Sequence, residues 1–125
     1  MIQGIGTDIV EVSRIEKIIE KWGPRFIERV YTPGEIEYCS KKAFPAMHFA
    51  ARFAVKESIL KSLGIGLGKG LRLRDIEVLN NQEGSPFLQS NDAVKEVFRR
   101  RGISGVHISI THTKKYAQAV VILEK

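Results

Sequence analysis

Three charged side chains stand in apolar settings where charge needs a reason. Asp8 lies inside GIGTDIV, and Glu57 and Lys61 lie in FAARFAVKESILK at residues 49–61. A carboxylate buried on a strand is costly unless it is paired or bound to a metal. Two carboxylates from separate elements, one followed a helical turn later by a lysine, match the way Mg2+ is held when phosphates complete its shell. The ion would offset the charge of a diphosphate, and Lys61 would stabilise a transferring phosphoryl group or its leaving oxygen. The ordinary alternatives are a Glu57–Lys61 pair at i,i+4, worth roughly 0.2 to 0.5 kcal/mol, and an Asp8 satisfied by backbone amides at a strand end. At about 100° per residue, Glu57 and Lys61 fall beside Ala50 and Ala54, whose small side chains leave room for a ligand. Lys56 falls instead among Phe49, Phe53, Leu60 and Leu63. A subunit interface, or snorkelling toward phosphate, would accommodate it.

Other groups are weaker signals. The glycines of Gly64-Ile65-Gly66-Leu67-Gly68-Lys69-Gly70 free backbone amides to approach a ligand. The segment is no P-loop, because Gly70 follows Lys69 where Ser or Thr would be required. It also follows a helix C-terminus, whose dipole repels anions. Ser109 and His112 suggest a nucleophile and its base, but no Gly-x-Ser-x-Gly elbow surrounds Ser109. Arg14, Lys17 and Lys21 recur along one helix and Arg25 continues the series. Interleaved Glu16, Glu20 and Glu28 make this a poorer match to nucleic acid than to an acidic protein helix. Arg99-Arg100-Arg101 closes a later helix, where cations suit the dipole.

The elements that must position these groups can be read along the chain. Residues 2–12 form a strand with glycines at 4 and 6. Ser13-Arg14-Ile15-Glu16 matches a capping box opening a helix with Ile15, Ile18, Ile19 and Trp22 as its apolar stripe. Pro24 opens a short helix burying Phe26, Ile27 and Val30, and Thr32-Pro33-Gly34-Glu35 caps a third through Tyr38. Pro45 begins the long central helix, which Gly64 ends. Strands follow at 75–79 and from Phe87, separated by a turn at 80–86. Ser90-Asn91-Asp92 caps a helix through Arg101, and strands at 106–111 and 116–123 form a closing hairpin. The class is α+β, a single domain over residues 1–125 with a long central helix packed on an antiparallel sheet.

The 125 residues are 43% apolar and 27% charged, the balance of a soluble globular domain. No apolar run reaches the roughly 18 residues of a membrane span, and no signal-peptide layout begins the chain, so a cytoplasmic location without membrane contact is expected. Cys39, the single cysteine, reads as an inert, half-buried thiol. The net charge of +6 favours anionic partners without naming one. A basic module for RNA or DNA therefore stands as a rival, although it gives Asp8 and Glu57 no role, and a Ser109/His112 hydrolase stands as a third reading.

Taken in order, GIGTDIVEVSRI at 4–15, FAARFAVKESILKSLG at 49–64, Gly84-Ser85-Pro86, and ISITHTKKYAQAVVI at 108–122 resemble the holo-acyl-carrier-protein synthases, small bacterial phosphopantetheinyl transferases. The resemblance covers nearly the whole chain. It implies transfer of 4′-phosphopantetheine from coenzyme A to a serine of apo-acyl carrier protein, releasing adenosine 3′,5′-bisphosphate, in fatty acid biosynthesis. Asp8 and Glu57 match the family's Mg2+ ligands, and Lys61 its phosphate-contacting lysine. Arg52, Gly64, Gly66, Ser109 and His112 match segments lining the coenzyme site. Arg14, with Lys17, Lys21 and Arg25, matches the surface that meets the carrier protein. The family also implies a homotrimer with active sites between subunits and no nucleic-acid partner. Ser58 stands where the family often has alanine, and Thr111 where it often has serine.

Overall fold

A computed structural model describes residues 1–66, 70–89 and 91–125. The expectations placed on Leu67, Gly68, Lys69 and Ser90 lie outside the described residues. The chain runs β1 (Ile2–Glu11), α1 (Val12–Trp22), α2 (Pro24–Val30), α3 (Pro33–Ser40), α4 (Pro45–Leu63), a 3-10 turn (Leu73–Asp75), β2 (Glu77–Asn80), β3 (Pro86–Gln89), α5 (Asp92–Arg101), β4 (Gly105–His112) and β5 (Tyr116–Glu124). β1, β5 and β4 form an antiparallel sheet in that order, and β2 and β3 form a separate hairpin. This is the expected α+β class.

α4 is the centre of the molecule. Pro45 supplies the preset φ of a first helical turn, and Gly64 ends the helix in the left-handed region at φ 70°. In between, the helix buries residues on every side, including Ala50, Ala51, Ala54, Val55, Ser58, Ile59 and Leu63. A helix apolar all round belongs inside a domain. One side lies on β1 and β5, where a β-carbon on Gly4 or Gly6 would collide with the backbone carbonyls of Ser62 and Ser58. Ala50 and Ala54 have no exposed surface, so the space beside them is taken by protein and is not open to a ligand, contrary to the wheel. Ser58, in the position often held by alanine, donates its buried hydroxyl to the carbonyl of Ala54 at 2.7 Å.

Lys56 is also fully buried, and its setting answers the question its position raised. Its Nζ donates to Glu35 Oε1 at 2.7 Å, to the Leu73 carbonyl at 3.0 Å and to the Ile76 carbonyl. Those are the three hydrogen bonds an ammonium can donate. Both Glu35 oxygens are also engaged: it closes a capping box with Thr32 on α3 and accepts the Val78 amide of β2 at 2.9 Å. The pair thus ties α3, α4 and the 3-10/β2 segment together from inside. Burial pulls the Lys56 ammonium below its usual range, and Glu35 opposes that shift. Neither a subunit interface nor snorkelling toward phosphate is needed.

Three further expectations change. α1 begins at Val12 with Glu11 as its cap residue and no side-chain cap, so Ser13 is already helical and exposed. The strand runs directly into the helix, leaving no extended position for Ser13 to cap from. Trp22 ends the apolar stripe 48% exposed, because the chain turns at Gly23 before any element covers it. Cys39 is wholly buried, and burial pushes its thiol up to about 12, which keeps it protonated and unreactive.

Removing one partner of a buried pair leaves the other charged and unpaired, a cost of about 3 to 5 kcal/mol. Lys56→Met should lose about that much stability in a denaturant titration, and adding Glu35→Gln should recover part of it. Gly6→Ala should destabilise by about 2 kcal/mol or more, the scale of an overpacked core, and the loss should be visible as a lower Tm.

Candidate active site

β1 alternates its side chains, and Gly4, Gly6, Asp8 and Val10 share the face turned toward α4. The glycines draw that face against the helix backbone, which brings Asp8 to the last two turns of α4. There the Lys61 ammonium donates to Asp8 Oδ1 at 3.0 Å and to the Thr7 carbonyl at 3.1 Å. The i,i+4 pair between Glu57 and Lys61 does not form, because the lysine crosses to the strand. Glu57, one turn earlier on the helix, has its carboxyl raised above the usual range. Partial burial is the larger cause, the charge of Asp8 the second, and Lys61 opposes both. Two carboxylates held close enough to repel form a site that a cation would relieve.

These carboxylates border a cleft of about 530 Å3. Arg14 from α1 shares the cleft with them, and Phe26 and Phe53 contribute apolar wall. Gly64 and Gly66 follow Lys61 at the end of α4, and among the described residues nothing lies within 4 Å of where a β-carbon on either would stand.

Arg52 and His112 meet elsewhere, in a smaller pocket of about 190 Å3 with His48 and the Gly84–Pro86 turn. The Arg52 guanidinium lies 4.1 Å from the Tyr38 ring centre and donates through Nη2 to Asn80 Oδ1, while its buried Nε has no partner. The His48 and His112 rings meet edge to face at 5.5 Å. Burial lowers the His48 pKa, and the positive charges of His112, Lys42 and Arg52 lower it further. No carboxylate lines this pocket. An unpartnered guanidinium nitrogen among cationic and neutral donors is suited to an anion.

Ser109 does not join them. It is exposed and lies on the opposite face of β4 from Ile108, Ile110 and His112, in a row with Val120 and Thr7. The period of two along a strand separates residues three apart, so the nucleophile-base pairing of Ser109 with His112 is not formed. That outer face also carries Ile5 and Ile9, 60% and 62% exposed.

Arg14, Lys17 and Lys21 are exposed on α1, and Arg25 is exposed at the start of α2. Between the two helices runs a groove of about 710 Å3 lined by Ile18, Trp22, Phe26, Arg25 and Arg29. Sequence reasoning assigned Ile18, Trp22 and Phe26 to the core. The signal it passed over was a tryptophan flanked by Lys21 and Arg25 immediately before Gly23-Pro24. It likewise missed His48, one helical turn before Arg52.

Comparison with known proteins gives this geometry a family. The model of the 4′-phosphopantetheinyl transferase superfamily matches residues 4–121. The holo-[acyl-carrier-protein] synthase of Syntrophus aciditrophicus is 52% identical over 99% of this chain and 97% of its own. The crystal structure of the holo-[acyl-carrier-protein] synthase from Neisseria meningitidis superposes with a TM-score of 0.93 at 34% identity, covering 100% of both chains. That of the Helicobacter pylori synthase in complex with coenzyme A superposes with a TM-score of 0.85 at 33% identity over 96% of this chain and 99% of that one. With Asp8, Glu57 and Lys61 assembled on a fold shared over its full length, the chain belongs to the 4′-phosphopantetheinyl transferase superfamily, among its holo-[acyl-carrier-protein] synthases.

Proposed function

We propose that the protein transfers 4′-phosphopantetheine from coenzyme A to a serine of apo-acyl carrier protein, releasing adenosine 3′,5′-bisphosphate, as a cytoplasmic step of fatty acid biosynthesis. The observation that carries this reading is the meeting of Asp8, Glu57 and Lys61 at the end of α4, beside a cleft that also holds Arg14. The relatives' name and the coenzyme A bound to the Helicobacter pylori protein support it.

Asp8 and Glu57 suit Mg2+. Both offer hard oxygen donors, and among the described residues no group of three His, Cys, Asp or Glu side chains forms a site. A pair of carboxylates that leaves the remaining positions to phosphate and water is the usual arrangement for this ion. When bound, the ion offsets the charge of the diphosphate. The carrier serine hydroxyl gives up its proton to solvent as its oxygen attacks the pantetheine-side phosphorus; the bond from phosphorus to the bridging oxygen breaks, and the nucleotide leaves with that oxygen. Lys61 has a 54% exposed side chain, so its ammonium can turn from Asp8 to the departing phosphate. Arg52 and His112 bind a further phosphate of the coenzyme. Gly64 and Gly66 allow the coenzyme to approach the backbone beside Lys61.

The carrier protein docks on the α1/α2 groove. Its acidic helix faces Arg14, Lys17, Lys21 and Arg25, and its apolar side chains cover Trp22, Ile18 and Phe26. A homotrimer would cover Ile5, Ile9, Val120 and Ile122 on the outer sheet face and place each active site between neighbours. Ser109 reaches a coenzyme only across such a contact.

Mass spectrometry of apo-acyl carrier protein incubated with the protein, coenzyme A and Mg2+ should show addition of phosphopantetheine, and an unchanged carrier mass would sink the reading. Asp8→Ala or Glu57→Ala should slow the transfer on the order of 100-fold or more, the scale of losing a transition-state charge contact; parental rates would refute the metal assignment. Trp22→Ala should raise the KM for the carrier by about 30-fold, the loss expected of an aromatic hot spot, with the KM for coenzyme A unmoved.

A further inference from the structure

The Arg99-Arg100-Arg101 run divides in the structure. Arg99 and Arg100 turn back on Glu96 of their own helix, at 2.8 and 3.6 Å. Arg101 instead crosses to α4, where its Nη1 donates to the carbonyl of Leu63. The last carbonyls of a helix lack partners within it and carry a partial negative charge. In α4 the Leu60 and Lys61 carbonyls are taken by the amides of Ile65 and Gly64, each at 3.0 Å. The Leu63 carbonyl receives a cationic donor from an element 38 residues away.

This contact bears on a difficulty in the site. Lys61, Gly64 and Gly66 lie at the C-terminal end of α4, the end whose dipole opposes an anion. We infer that Arg101 is a positioning residue for the coenzyme's diphosphate: it neutralises the carbonyl end of α4, so that a ligand beside Lys61 and Gly64 meets a net positive potential. The inference rests on the function proposed above. Lys61 brings one positive charge to this end, and the Asp8 carboxylate beside it offsets that charge. The other two arginines of the run do not make up the difference, because both are held on Glu96. Arg101 lines a small cavity at the junction of α4 and α5 together with Ile65, the residue that follows Gly64.

The test is calorimetric binding of coenzyme A, with Mg2+ and without carrier protein, to the parent and four variants. Arg101→Gln keeps a neutral donor to Leu63, and Arg101→Met removes the hydrogen bond as well. Both should weaken binding by about fivefold, the scale of one charge at a helix terminus. Arg101→Lys and Arg100→Gln should each bind within about twofold of the parent, on the same scale. In transfer assays the loss should appear in the KM for coenzyme A and leave kcat unmoved, a split that general damage to the fold would not produce. Binding by Arg101→Gln equal to the parent's would overturn the inference. So would Arg101→Lys as weak as Arg101→Met, or Arg100→Gln as weak as Arg101→Gln, which would mark a response to overall charge. If the parent itself bound no coenzyme A, the functional reading would fall with it.

Discussion

The packing of α4 on β1 at Gly4 and Gly6 is the constraint on which the rest of the molecule depends. Without β-carbons there, the strand backbone lies against the helix carbonyls of Ser58 and Ser62. That closeness places Asp8, next on the same strand face, against the turn that carries Glu57 and Lys61. A helix set off by the width of ordinary side chains would leave the two carboxylates on separate surfaces. The geometry of the candidate site is therefore a consequence of core packing, and the glycines are as much part of that site as the charges.

Buried and exposed charge play different parts in this protein. Glu35 and Lys56 are sealed in the core, where every polar atom of the pair finds a partner and the pair joins three elements. Asp8, Glu57 and Lys61 are left short of that state: Glu57 has no ion-pair partner among the described residues, and Lys61 is half exposed on its one carboxylate. Adjacent residues on one helix, Lys56 and Glu57, thus belong to opposite categories. The difference is solvent access, since a fully satisfied pair resists exchange whereas an under-satisfied carboxylate can accept a cation.

Much of the architecture was legible from local chemistry. The Thr32/Glu35 capping box, the Pro45 start and Gly64 end of α4, the Asn91 cap of α5 and the final hairpin all follow from residue preferences that act within a few positions. The failures came where tertiary contact overrides them. Ser13 matched a capping pattern, but β1 passes into α1 without a break. Ala50 and Ala54 looked like a ligand floor, because a wheel shows which residues share a side and not what lies against it.

For the site, Asp8, Glu57 and Lys61 were recognisable from the sequence alone, because a charge within an apolar segment costs free energy unless something compensates it. The same rule flagged Lys56 without finding its partner, since Glu35 lies 21 residues away and its pairing depends on how α3 meets α4. Strand parity separates Ser109 from His112, yet only the sheet's packing shows which face is covered. The tertiary structure alone decided that Arg52 and His112 share a pocket, that Trp22 is exposed in a basic groove, and that Arg101 caps a helix it does not belong to. Each is a contact between elements distant in the chain, and no residue preference acts over that separation until the core has brought them together.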